Sequence, residues 1–191
     1  MVTDLSVKTD LSVKNLTLNE AVKGITVSEV VKGITVSEVV NSVQIDKQSD
    51  IPWIIRLLEN PISPIALPGK ISLANHDCIH VILGRGVTLQ DEAFVIGFTM
   101  GSDVKTNWFH LAIFKFFSRF LYSKKFRFNR EDLKVFDLGF AYGRKPGILK
   151  NINQIDFQLY QNKKIAELRK LFGISLDELR RLKKFENWLI S

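Results

Sequence analysis

The sequence predicts an all-α protein: a single helical domain of six or seven helices over residues 49–191, behind a repetitive, poorly ordered N-terminal segment over residues 1–48. Three observations carry this. From Asp50 onward no segment alternates apolar and polar residues with the period of two that a half-buried strand needs. Apolar residues recur instead at steps of three and four, as in Ile51, Ile54, Ile55 and Leu58, or Leu176, Leu179, Leu182, Phe185 and Leu189. Capping pairs punctuate the runs: Thr88 with Asp91, Asn129 with Asp132, Ser175 with Glu178.

In chain order, residues 1–45 hold two short duplications. TDLSVK at 3–8 returns at 9–14, and VKGITVSEV at 22–30 returns at 31–39. Both units are too short and too few for a stacked array. Asp50 caps a first helix that tolerates Pro52 in its opening turn and stops at Pro61. Pro64 and Pro68 keep the next stretch extended. Ser72 opens a helix over 72–83, ended by Gly84-Arg85-Gly86. Thr88 starts a central helix from Leu89 to about Met100, with Gly101 as its cap. Asn107 to Tyr122 carries Trp108, Phe109, Phe114, Phe116, Phe117, Phe120 and Tyr122. That composition suits a helix buried on most sides, the wall of an apolar cavity, or a surface pressed on lipid. A basic run follows at Lys124, Lys125, Arg127 and Arg130. A helix over about 130–142 comes next, broken by Gly143 to Gly147 with Arg144 and Lys145 at the break. The chain closes with helices over 154–172 and from Ser175 to about Leu189.

Composition bounds the function. The chain is 46% apolar, enough for a core, and its one cysteine, Cys78, excludes a disulfide framework or a cysteine-based zinc site. No run reaches 18 apolar residues and no basic start precedes an apolar run, so a cytoplasmic-side protein is the default expectation. The charge is lopsided. Residues 1–50 carry five Lys/Arg against seven Asp/Glu, and residues 102–191 carry nineteen against nine. That basic half fits an anionic membrane surface. Nucleic acid is not expected as a partner, because no recognition motif accompanies the charge.

The densest chemistry lies in Asn75-His76-Asp77-Cys78-Ile79-His80 and in Glu92, eleven intervening residues later. At roughly 100° per residue, His76 and His80 leave one helix face about 40° apart. The glycine-bounded turn then brings Glu92 back across from them. Imidazoles and carboxylates are the ligands of zinc and similar ions, so His76, Asp77, His80 and Glu92 are candidate metal ligands. Asp77 serves either as a ligand or by orienting a histidine. Cys78 projects away from both histidines and reads as a core residue.

His76-Asp77-x-x-His80 followed by Glu92 is similar to the metal-binding signature of the coenzyme Q (ubiquinone) biosynthesis protein 4 family. Ala141-Tyr142-Gly143-Arg144-Lys145 resembles that family's glycine-plus-basic segment, and Ile165 to Ile174 its closing helix, so the resemblance spans Ile51 to Ile174. It implies a helical fold and a divalent metal, zinc first, with magnesium or iron as alternatives. It also implies a prenylated quinone precursor or prenyl lipid as ligand, a cytoplasmic or organelle-interior place peripheral to a membrane, other quinone-biosynthesis enzymes as partners, and C1 decarboxylation with hydroxylation of the ring. Within that expectation the aromatic helix, with Trp108 and Phe116, offers apolar lining. Arg144 and Lys145 are placed to neutralise a carboxylate or phosphate. An exposed apolar helix face would favour a homodimer. The alternative is a lipid-binding scaffold without chemistry. A phosphohydrolase using adjacent His-Asp is disfavoured, since that class needs a histidine upstream of the pair and none precedes His76.

Overall fold

The computed structural model describes Thr17 and residues 67–69, 71, 73–86, 88–120, 122 and 126–190. The expectations for the repeats, for a helix over 51–60, for Ser72 and for Lys124 and Lys125 lie outside the described residues. Among those residues the protein is helical, with no strand. Its helices are α1 (Leu73–Leu83), α2 (Leu89–Ser102), α3 (Trp108–Phe120), α4 (Arg130–Arg144), α5 (Ile165–Leu171) and α6 (Leu176–Ile190), and two 3-10 turns, Ile152–Gln154 and Phe157–Tyr160, precede α5. An isolated antiparallel bridge joins Thr17 to Lys164.

Helix boundaries follow local chemistry. Gly84, at φ 66°, ends α1 in the left-handed conformation that glycine adopts without strain. The Arg85 N–H then donates to the His80 carbonyl at 2.9 Å, and the Gly84 N–H to Val81 at 3.1 Å, the paired bonds of a Schellman turn. The Arg169 Nε donates to the next carbonyl, Ile82, at 2.7 Å and places a cation at the negative end of the helix. Thr88 caps α2 by accepting from the Asp91 N–H. Asn129 and Asp132 form a reciprocal capping box on α4.

The core centres on α2 and α4. Phe94, Phe98 and Phe136 are fully enclosed, joined by Phe157 and Phe172 from the later segments. The two helices meet backbone to backbone through Gly97 and Gly101 on α2 and Gly139 and Gly143 on α4. A Cβ at Gly97 or Gly139 would overlap the carbonyl oxygen of Phe136 or Phe94, and one at Gly101 or Gly143 that of Phe140 or Phe98. The contacts rise together along both helices, so the pair runs parallel.

Five expectations need correction. Gly101 lies inside α2, whose end is set by the Asp103 N–H bonding to Thr99, and Gly143 lies inside α4 rather than breaking it. Both are the small residues that the close crossing requires. A continuous helix over 154–172 does not form. Asn151 takes a left-handed conformation and Asp156 caps a new turn through the Gln158 N–H, so the segment divides before α5. The aromatic helix is not buried on most sides. Of α3, Phe114 and Ser118 are buried, whereas Trp108 is 78% and Phe116 55% exposed. Phe114 stacks on Phe136 at 4.8 Å, which fixes which face turns inward. On α6, Phe185 is exposed although the apolar spacing put it on the inward face, and its neighbour Glu186 is buried.

Candidate metal centre

α1 and α2 form the hairpin on which the site is built. One turn of α1 sets His76 and His80 on the same side, their rings 4.6 Å apart and edge to face. The first turns of α2 carry Glu92 to them. Its Oε1 lies 3.3 Å from His80 Nε2 and its Oε2 3.5 Å from His76 Nε2. The three donor atoms lie within 4.8 Å of one another.

The His80 ring is fixed. Its Nδ1 lies 2.7 Å from the Gly86 carbonyl, an acceptor, so the proton belongs on Nδ1. The Nε2 lone pair of the neutral ring is then directed toward a carboxylate oxygen, and this buried atom has no hydrogen-bond partner. Two facing acceptors repel unless a proton or a cation stands between them. The environment reflects this. Burial pushes the His80 pKa down, but the Glu92 carboxylate, the Gly86 carbonyl and Asp77 outweigh it and hold it above the ordinary 6.5. His76 is held below 6.5 by burial, with His80 adding to the effect and Glu92 opposing it.

The group fits a divalent metal. Two imidazole nitrogens and one carboxylate oxygen make up a three-ligand catalytic zinc set, and ligand atoms on one tetrahedral zinc stand about 3.3 Å apart. The contacts of 3.3 and 3.5 Å run to different oxygens of Glu92, and one donor atom from each residue fits within 4.8 Å, so small side-chain rotations bring the three to that spacing. Glu92 keeps 31% of its side chain exposed, so one side of the site is open to an incoming ligand.

Of the other predicted site residues, Asp77 stands outside the group of three and acts on His80 through its charge. Arg144 and Lys145 are engaged elsewhere. Arg144 donates to the carbonyls of Asp103 and Thr106, at the opposite end of α2 from Glu92, and lies over the Phe140 ring. Lys145 pairs with Glu178. Trp108 and Phe116 stand at the surface of α3. His110 accepts the Asn107 N–H through Nδ1 at the start of α3. Cys78 is buried, and burial first, then the Asp77 charge, raises its thiol to about 11.

A charge cluster built on the buried pair Arg85–Glu186 lies beneath the hairpin and was not apparent from the sequence. Arg85 Nη1 donates to Glu186 Oε2 at 2.5 Å and lies 3.6 Å from Asp91 Oδ1, while Lys183 Nζ reaches Glu186 at 2.7 Å and Asp91 at 3.4 Å. The only trace was an acid, Glu186, among the basic residues of α6. No family model matches this chain, and neither a curated protein nor a solved structure matches it.

Proposed function

We propose that this chain is a divalent-metal protein of prenylated-quinone biosynthesis, acting on the ring of a prenylated precursor at C1. The observation that carries the proposal is the convergence of His76, His80 and Glu92, with His80 Nε2 buried and turned toward the Glu92 carboxylate. A divalent ion at this site supplies Lewis acidity beside an open position. The chain's own residues do the rest. Gly86 holds the His80 tautomer, Glu92 spans both imidazoles, and the depressed proton affinity of His76 keeps that ring neutral and ready to bind. The resemblance supplies the substrate class. Replacing a ring carboxyl by hydroxyl releases carbon dioxide and needs an oxidant such as dioxygen. Zinc carries no redox chemistry, whereas two histidines and one carboxylate are also the ligand set of iron(II) oxygenases, so iron is tested beside zinc.

The test is the metal content of the purified full chain beside His80→Ala and Glu92→Ala, with zinc and iron(II) titrated separately and bound lipid extracted. One metal per chain, lost in both variants, together with a prenyl lipid in the extract, is the expected result. A wild type that takes up neither metal rejects the proposal.

A second role, as a lipid-surface protein, is favoured by α3. Trp108, Phe109, Phe116 and Phe120 are each more than half exposed on one short helix. No helix among the described residues is long and apolar enough to cross a membrane. Aromatic residues beside basic ones bind the interface of anionic bilayers. Co-sedimentation with anionic vesicles, reduced in Trp108→Ala/Phe116→Ala at unchanged melting temperature, is expected. Equal sedimentation of the two proteins removes this role.

A further inference from the structure

We propose that Arg85 and Glu186 form a positioning clamp for the metal centre, by which the last helix sets the orientation of His80. The proposal rests on the metal reading above and extends it to residues that touch no metal.

Glu186 is fully enclosed and Arg85 nearly so. The guanidinium is held from three directions: by Glu186 at 2.5 Å, by Asp91 at 3.6 Å and by the Phe94 ring, 3.6 Å beneath it. Lys183 completes the cluster against Glu186 and Asp91, giving two cations and two anions. A buried charge pair contributes little net stability, and apolar residues of similar size often replace one without loss. Its location is the informative feature. Arg85 is bound through its backbone N–H to the His80 carbonyl, and the next carbonyl along, that of Gly86, accepts from His80 Nδ1. Asp91 immediately precedes Glu92. Both ligand-bearing segments are therefore fastened to one guanidinium, which α6 anchors from 101 residues away. Partners that orient a metal-binding histidine through its second nitrogen tune affinity without touching the ion. Here that partner is a backbone carbonyl, and the clamp is what holds the backbone.

Two variants of the full chain test this. Glu186→Gln removes the anion and keeps the shape. Arg85→Met/Glu186→Met removes the pair together and is expected to melt near wild type, because no unpaired charge is left behind. The readouts are the zinc dissociation constant by chelator competition, the visible spectrum of the cobalt(II) form, and the His80 ring tautomer from imidazole nitrogen shifts in metal-free protein at alkaline pH. In both variants zinc affinity is expected to fall about 10- to 100-fold. The cobalt bands are expected to change, and an Nε2–H tautomer of His80 to appear. A doubly substituted protein that melts like wild type and keeps its zinc affinity and the Nδ1–H tautomer overturns the clamp. If the wild type binds no metal but the variants lose the Nδ1–H tautomer, the clamp stands and the metal reading falls.

Discussion

Glu92 presents one carboxylate oxygen to each histidine, yet the two rings respond in opposite directions. His76 gives up its proton below the ordinary imidazole value of 6.5 and His80 above it. The signs give a pH profile. Just below 6.5 the unfolded chain holds a proton on His76 that the folded chain does not, so stability rises with pH. Just above 6.5 the folded chain keeps a proton on His80 that the unfolded chain loses, so stability falls as pH rises through the folded value. The contribution of this pair to the metal-free protein therefore peaks near 6.5. A bound metal requires both rings unprotonated and moves the optimum upward. Thermal melts from about pH 5 to about pH 8, with chelator and with zinc, are expected to show the maximum shift to higher pH when metal is present. Cys78 gives a second prediction. A buried thiol raised to about 11 is not a nucleophile near neutrality. Alkylating agents are expected to leave it unmodified in the folded chain and to modify it in urea. The convergence of His76, His80 and Glu92 was legible because the histidines are a helical turn apart and the glutamate lies across a short hairpin. The role of Asp77, as ligand or as a charge acting on His80, was not, since it depends on how the α1 face is rotated toward α2, which spacing alone does not settle.

Among the helices, cap chemistry is local, and the starts of α2, α4 and α6 stand where Thr88, Asn129 and Ser175 place them. The division of 154–172 was hidden, because its apolar residues keep a helical spacing while Asn151 and Asp156 impose turns. The function of the glycines in α2 and α4 was hidden as well. Each looks like a helix breaker in isolation and makes sense only when the partner helix is known. Overpacking a tight contact costs about 1–3 kcal/mol, and here the obstruction is a backbone carbonyl that cannot swing aside. Gly97→Ala and Gly139→Ala are each expected to lower stability by at least that much in urea unfolding. Gly147 has a left-handed φ of 89° but open space around it. Gly147→Ala is expected to cost only the conformational penalty, about 1–2 kcal/mol.

For the whole molecule, the long-range ties decide how the pieces cohere. Arg169 joins α5 to the end of α1, Tyr142 accepts the Ser175 N–H and joins α4 to α6, and Glu186 joins α6 to the α1–α2 hairpin. None was legible in the sequence, because their partners lie 33 to 101 residues apart and no local pattern marks a buried acid as paired. Removing one partner of an enclosed ion pair strands the other, at a cost of about 3–5 kcal/mol. Glu186→Ala is expected to destabilise the chain by that amount in denaturant titration, and Arg85→Met/Glu186→Ala to recover most of it.

The parallel crossing of α2 and α4 has a mechanical consequence for the metal centre. With backbone against backbone at the four glycines, the two helices behave as one stiff bar, and Glu92 is mounted near its end. His76 and His80 ride instead on α1, which touches α2 sparingly and is moored at its C-terminal turn. A metal held by His76, His80 and Glu92 would therefore bridge α1 to that bar.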